Sequence, residues 1–349
     1  VGKAFVRILA TALLALATGC ASSGVDHTLP QERAHLSNMR QLTFGGTNAE
    51  AYWSYDDERL IVQITRPPEV ECDQMFVLDV DSGDLTQITD AGRTTCGFWV
   101  PEGDRVLFGS THGAGVECPP PADKSQGYAW AIYDSYEIYA ADPDGGNLVN
   151  LSNTPGYDAE ATISRQGRVV FTSARSGDLE LWTMEPDGSD LHQVTDRLGY
   201  DGGAFFSNDG SKLVWRATRF DSDEERQTYK DLLAEGLVKP RKMELFIANA
   251  DGSDLRQLTD NGGANFAPFF TPDDSHIVFA SSLGSASGFG FDLWMMPVEG
   301  GEPERITYTD AAFESFPMFS WDGERIVFTS GRNAANPGDL NVFVADWTP

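Results

Sequence analysis

Three cysteines and one histidine offer the sharpest chemistry in this sequence: Cys72, Cys96, Cys118 and His112. Soft thiolates beside an imidazole suit zinc or copper. No tight Cys-x-x-Cys pair is present, however, and in an exported protein two of three thiols would normally pair. A disulfide is the favoured reading, with Cys72–Cys118 slightly preferred and Cys96 the leftover, buried thiol. The metal site stays open as the alternative, and neither a bound metal nor any other cofactor is expected.

Signatures of catalysis fail one by one. There is no Gly-x-Ser-x-Gly; Gly284 to Gly288 has the spacing but Ala286 at its centre. No phosphate loop and no His-Glu-x-x-His occurs. The five histidines, His27, His35, His112, His192 and His276, do not cluster along the chain. No catalytic residue is expected. Short Asp-Gly turns such as Asp142-Pro-Asp-Gly145 faintly resemble calcium loops, but the full ligand spacing is missing.

The elements that must position these residues follow from a repeat. Asp251-Gly-Ser-Asp-Leu-Arg-Gln-Leu-Thr-Asp260 leads to Phe269-Phe-Thr-Pro-Asp273 and Ile277-Val-Phe279, and Asp187-Gly-Ser-Asp-Leu-His-Gln-Val-Thr-Asp196 begins the same phrase again. A period of roughly 40–45 residues with four short apolar strands per unit is the mark of a propeller. Six such units can be traced, each with strands A to D from channel to rim. The last unit lacks its D strand, and Gln41-Leu42-Thr43 at the other end supplies it. The expected fold is therefore all-β, a six-bladed propeller of four antiparallel strands per blade. Its first and last strands share one blade and close the ring.

On that frame the candidate binding residues form two columns at the mouth of the central channel. Asn48, Thr94, Asp158, Asp201, Asn265 and Glu314 start the A strands; two places on come Glu50, Cys96, Glu160, Gly203, Ala267 and Phe316. The acids are expected to be solvated and unpaired, able to take an amine or a basic peptide. The long loops all map to the same face. One carries Cys118, Pro119 to Pro121, Tyr128, Trp130 and Tyr133. Another carries a helix started by the capping box Ser222-Asp-Glu-Glu225 and ended by Gly236, with Tyr229, Leu232 and Leu233 on one side. Loops gathered on one face commonly carry function.

Residues 1–19 read as an export signal: Lys3 and Arg7, an apolar run from Ile8 to Ala17 too short to span a bilayer, then Thr18-Gly19-Cys20. This resembles the bacterial lipoprotein signal, with Ala17 where Leu is usual and Leu16 one place earlier. The resemblance implies that Cys20 is lipidated, and Ala21 is compatible with transfer to the outer membrane, facing the periplasm. Residues 20–38 are expected as a tether and 39–349 as the propeller. A formal charge of −28 argues against nucleic acid and anionic lipid as partners.

The phrase Ala-Asp-Gly-Ser-x-Leu-x-Gln-Leu-Thr, followed by Phe-x-Pro-Asp and Ile-Val-Phe, closely resembles the TolB-type propeller repeat. The resemblance covers nearly all of Arg40 to Trp347. Together with the lipoprotein signal, it leads to the expectation of a lipid-anchored monomer that binds a protein or peptide partner, although TolB itself is soluble. A related repeat forms the non-catalytic propeller of prolyl-oligopeptidase-type peptidases, and another serves polysaccharide lyases through clustered histidines that are missing here. The alternative is therefore an enzyme processing a glycan or peptide at the channel mouth, with or without a metal.

Overall fold

The computed structural model describes residues 25–349, apart from 102–103, 124, 126, 286–287, 289 and 310–311. The proposed signal and Cys20 lie outside the described residues. No helix among the described residues is long and apolar enough to cross a membrane.

Six four-stranded antiparallel sheets surround a central channel. The A strands run Thr47–Trp53, Thr94–Val100, Asp158–Ile163, Asp201–Phe206, Asn265–Phe270 and Glu314–Phe319. Blade six is closed as expected: Leu36–Gln41 pairs antiparallel with Asn341–Trp347, Gln41 opposite Phe343. This closing strand begins earlier than the repeat suggested, which corrects the expected tether. Pro30–Ala34 forms a 3₁₀ turn, and Glu32 is buried with its carboxylate on Arg332 at 2.8 Å. Leu36 is buried too. A buried acid needs a fixed cation, so the segment is part of the fold.

The repeat phrase now has a physical reason. In the A–B turns, Ser54, Ser207, Thr271 and Ser320 hydroxyls donate to Asp56, Asp209, Asp273 and Asp322. These side-chain bonds tie each turn locally. In the C–D hairpins, Gly188 and Gly252 adopt φ of +85° and +83°. A Cβ there would lie 2.3 Å from Leu151 O and 2.4 Å from Val194 O of the preceding blade. Glycine permits both the turn and the close blade packing.

Every A strand carries a register shift against its B strand, between its second and fifth residues or their equivalents. The bulged residues are Glu50, Cys96, Glu160, Gly203, Ala267 and Phe316, all at positive φ between 50° and 60°. A bulge re-aims one side chain per strand. Here it turns the second column toward the channel.

Candidate functional site

The first column does not face the channel. Asn48, Thr94, Asp158, Asp201, Asn265 and Glu314 are all buried. Arg66 donates to Asn48 Oδ1 at 3.0 Å, Arg175 to Asp158 at 2.8 Å, Arg219 to Asp201 at 2.7 Å and Arg332 to Glu314 Oε1 at 2.8 Å through its Nε. Asn265 is held by Glu244 and Ser281, and the Thr94 hydroxyl by Thr89 and Asp73. The expectation of solvated, unpaired acids fails here. These groups lie before the bulge, and four of them turn toward the end of their own B strand and meet an arginine at or just beyond it.

That pairing had a readable signal. Each of the four arginines stands 17 or 18 residues after its column partner. An acid opening an A strand with an Arg at that distance is a clamp between the two strands of one hairpin. Burial still acts on these acids: Asp201 is pushed up to about 6 and Glu314 upward, each offset by its arginine.

The second column lines a cleft holding about 340 Å³ of space, part of it open to solvent, with Glu50, Tyr52, Cys96, Glu160, Gly203, Arg216, Ala267 and Phe316 on its walls. Below it Tyr52, Phe98, Phe205 and Phe269 stack at 5.1–6.0 Å between centroids. A second, shallow recess, lined by Arg165, Asn208 and Trp321 among others, opens toward the hairpin face. Phe205 and Thr162 line both spaces, so the aromatic layer lies between them.

One wall of the cleft is charged and one is aromatic. On the charged side Glu160 accepts from Arg216 at 2.8 Å, from the Tyr200 hydroxyl at 2.7 Å and from Gly203 N–H at 2.9 Å. Two glycines make room for this network. A Cβ on Gly202 would lie 2.3 Å from Glu160 Oε2, and one on Gly203 2.0 Å from Arg216. Trp130 covers Arg216 with 5.4 Å between guanidinium and ring centre. Glu160 was expected to be free and is fully engaged.

Glu50 differs. Its carboxyl shares the cleft with the Cys96 thiol, which favours the ionised form, and burial pushes it up to about 7. Arg216 pulls the other way, while Glu160 and Asp73 add to the rise. The Cys96 thiol is raised well above its ordinary range, first by burial and then by Glu50 and Glu160, so it stays protonated.

On the aromatic side Phe316 lines the cleft, and a cluster from blades five and six packs around it. Phe266, Phe291, Phe313 and Phe316 are each half-buried. Phe266 and Phe291 stand 4.9 Å apart, Phe291 and Phe313 5.5 Å, and Phe313 and Phe316 6.4 Å. Reading the sequence missed this wall as a site, because three of the four rings come from loops or from the residue beside the column.

The insertions do meet at the mouth. Trp130–Ala131 from blade two pairs with Leu237–Val238 after the helix of blade four, bridging blade three. The helix, Asp223–Ala234, is capped by Ser222, which accepts from Glu225 N–H. The Glu225 carboxylate closes on Asp221 N–H, one residue before the expected cap partner. Tyr229 and Leu232 anchor the helix, and the Tyr229 hydroxyl donates to Asp178. Tyr128 is exposed on the outside of this ribbon, where its hydroxyl accepts from Trp130 Nε1 at 3.2 Å.

Cys72 and Cys118 are joined, with 6.1 Å between Cα atoms, and Cys96 is a free, half-buried thiol facing the cleft. His112 instead packs on Tyr139 at 4.2 Å and contacts Ser110. No group of three or more potential metal ligands is found among the described residues.

No family model and no curated protein matches this chain. Solved structures do. A TolB from Acinetobacter baumannii is 16% identical with a TM-score of 0.52, over 76% of this chain and 58% of that one, so this chain spans little more than half of that protein. A protein from Agrobacterium tumefaciens assigned as TolB is 15% identical with a TM-score of 0.54, over 87% and 91%. An oligogalacturonate lyase from Vibrio parahaemolyticus is 11% identical with a TM-score of 0.51, over 89% and 93%. Likeness at such identities carries the architecture alone: the chain is a six-bladed β-propeller whose fold is similar to that of TolB structures.

Proposed function

We propose that this propeller binds a protein or peptide partner at the channel mouth of its insertion-bearing face. One observation carries the reading: the cleft has a charged wall and a half-buried aromatic wall. That pairing suits a peptide, whose apolar side chains need surface while its polar groups need fixed partners. Of the residues first considered, Glu50, Cys96, Glu160 and Phe316 line the cleft and Trp130 covers Arg216 beside it, while Phe266 packs near Phe316 as an addition. Asn48, Thr94, Asp158, Asp201, Asn265 and Glu314 contribute stiffness to the blades instead. The likeness to TolB structures supports a binding role and an envelope location.

The anchoring reading accompanies this proposal. Residues 1–19 would be removed and Cys20 lipidated, giving a monomer held at the outer membrane. The described chain enters beside Arg332, whose Nη1 lies 3.3 Å from His27 O. Arg332 follows the B strand of blade six, at the insertion-face end. Six chain steps run from Cys20 to Asp26 and span at most about 21 Å. The mouth would therefore sit close to the bilayer surface.

The experiment is site-specific photocrosslinking in envelope fractions. A benzophenone side chain at Phe316 should capture a partner, and the same group at Trp321 on the opposite face should not. Equal capture from both sites, or none from Phe316, would sink the reading. An enzyme on glycan or peptide keeps one observation in its favour, the Glu50 carboxyl pushed up to about 7, which suits proton transfer near neutral pH. Against it, the second carboxylate, Glu160, is taken up by Arg216 and Tyr200.

A further inference from the structure

We propose that the cleft recognises a basic side chain or amine of its partner, seated between the Glu50 carboxylate and the aromatic wall, and that Glu50 gives up a proton as it binds. This rests on the mouth reading above and specifies its chemistry. Four observations meet at this one place.

The first is position. Glu50 and Phe316 are both bulged residues lining one cleft, and they belong to neighbouring blades around the ring. A carboxylate beside partly exposed phenylalanine faces is the arrangement that receives an organic cation: the acid pairs the charge and the rings take the adjoining methylenes and part of the positive field.

The second is charge balance. The largest influences on Glu50 come from Cys96 on blade two, Glu160 on blade three, Arg216 on blade four and Asp73 on blade one, and the Tyr52 hydroxyl of its own strand lines the same cleft. Arg216 is the single cation among them, and Glu160 and Tyr200 already occupy it. Asp73 is likewise taken by Arg93. Glu50 is left with a thiol that donates weakly.

The third is space. Gly203 and Ala267 bring no long side chain to the cleft, which opens to solvent beside Glu50. The fourth is field. A chain of formal charge −28 draws cations from a distance.

The proton follows from these facts. A carboxyl held near neutral pKa is largely protonated at pH 6 and must ionise to pair a cation. The O–H bond of Glu50 breaks, its proton leaves to solvent, and the amine keeps its own, because its pKa of about 10.4 lies far above. Affinity should then rise with pH until Glu50 is fully ionised.

The test uses N-acetyl-phenylalanyl-lysine amide as probe and the same peptide with an acetylated Nε as its neutral control. Binding is measured by calorimetry at pH 6 and pH 8 in buffers of different ionisation enthalpy. The lysine probe should bind about tenfold tighter at pH 8, with close to one proton released at pH 6. Glu50→Gln should abolish both the pH dependence and the proton release. Cys96→Ala removes the thiol that favours the ionised carboxylate, so it should move the transition to higher pH without abolishing it. A single cooperative urea transition in each variant would show that neither unfolds the domain.

The outcomes separate the two ideas. If both probes bind equally, independently of pH, and both are lost in Phe316→Ala, the mouth binds peptide and the cation inference is overturned. If the lysine probe keeps its pH dependence but ignores Phe316→Ala, the cation site stands and the aromatic peptide wall falls. No binding of either probe at millimolar concentration overturns both.

Discussion

Two residues of one strand, Asp158 and Glu160, stand two places apart and belong to different machinery. Asp158 lies before the bulge, turns to its own hairpin and is clamped by Arg175. Glu160 sits at the bulge, turns to the channel and meets Arg216 of the next blade. The same split runs round the ring. The outer column is buried, paired and built for rigidity. The inner column differs blade by blade, and that variation makes one side charged and the other aromatic. A single inserted residue per strand therefore separates scaffold from site.

The hardest blow to the outer column should come at Arg332. It holds both Glu32 and Glu314, and all three side chains are almost fully buried. Arg332→Ala leaves two buried carboxylates without a cation, at a cost of about 3–5 kcal/mol. Urea denaturation reads this directly, and a loss below about 1 kcal/mol would erase the distinction between the columns.

Next in size is the tie between blade one and the blade-two insertion. Cys118→Ala opens a loop of 46 residues and should cost about 2–4 kcal/mol. Wild type under reductant should match the variant. If reduction leaves the midpoint unchanged, the insertion is held by packing of Trp130, Tyr133 and Tyr136 alone.

A smaller effect distinguishes the columns by pH. Burial raises Asp201 to about 6 and Glu50 to about 7. A carboxyl raised on folding makes the native state bind more protons than the unfolded one. Its stabilising share is full below the unfolded pKa and is lost as pH rises through the folded value. Stability should therefore decline between about pH 4.5 and 7 from Glu50, and Glu50→Gln should flatten that decline. An unchanged profile in the variant would mean that Glu50 is solvated rather than set into the cleft.

The smallest change in stability is expected from Tyr128→Ala, within about 0.5 kcal/mol, since most of its side chain is in solvent. Phe316→Ala should cost only about 1 kcal/mol, as a half-buried ring gives up part of its transfer energy, yet it should abolish partner capture. Capture that survives Phe316→Ala but fails in Tyr128→Ala would move the site from the cleft to the outer ribbon.

Much of the scaffold could be read from residue order. The phrase built on Asp187-Gly188 and Asp251-Gly252, the strand runs after it and the stray Gln41-Leu42-Thr43 gave six blades and their closure. These signals are local: a turn needs its Asp and Gly at fixed offsets, and a strand needs its own run of apolar residues. The helix was legible for the same reason, through Ser222 and Glu225. The thiol expectations came from compartment and counting, which narrow a pairing without drawing it.

The site was legible only in outline. That Glu50, Cys96, Glu160 and Phe316 sit at the mouth followed from strand alignment. That Asp158, Asp201 and Glu314 do not follow them there depends on the bulge, which leaves no mark in residue type: Glu, Cys, Gly, Ala and Phe all occupy it. Which carboxylate is left without an arginine for a ligand is settled by neighbours distant in the chain. Arg216 reaches Glu160 across 56 residues, and Arg332 reaches Glu32 across 300. Local order determined the ring of blades because each hydrogen-bonded turn is short-range. Only the closed tertiary structure decided where the cations went, because desolvation and pairing act through space.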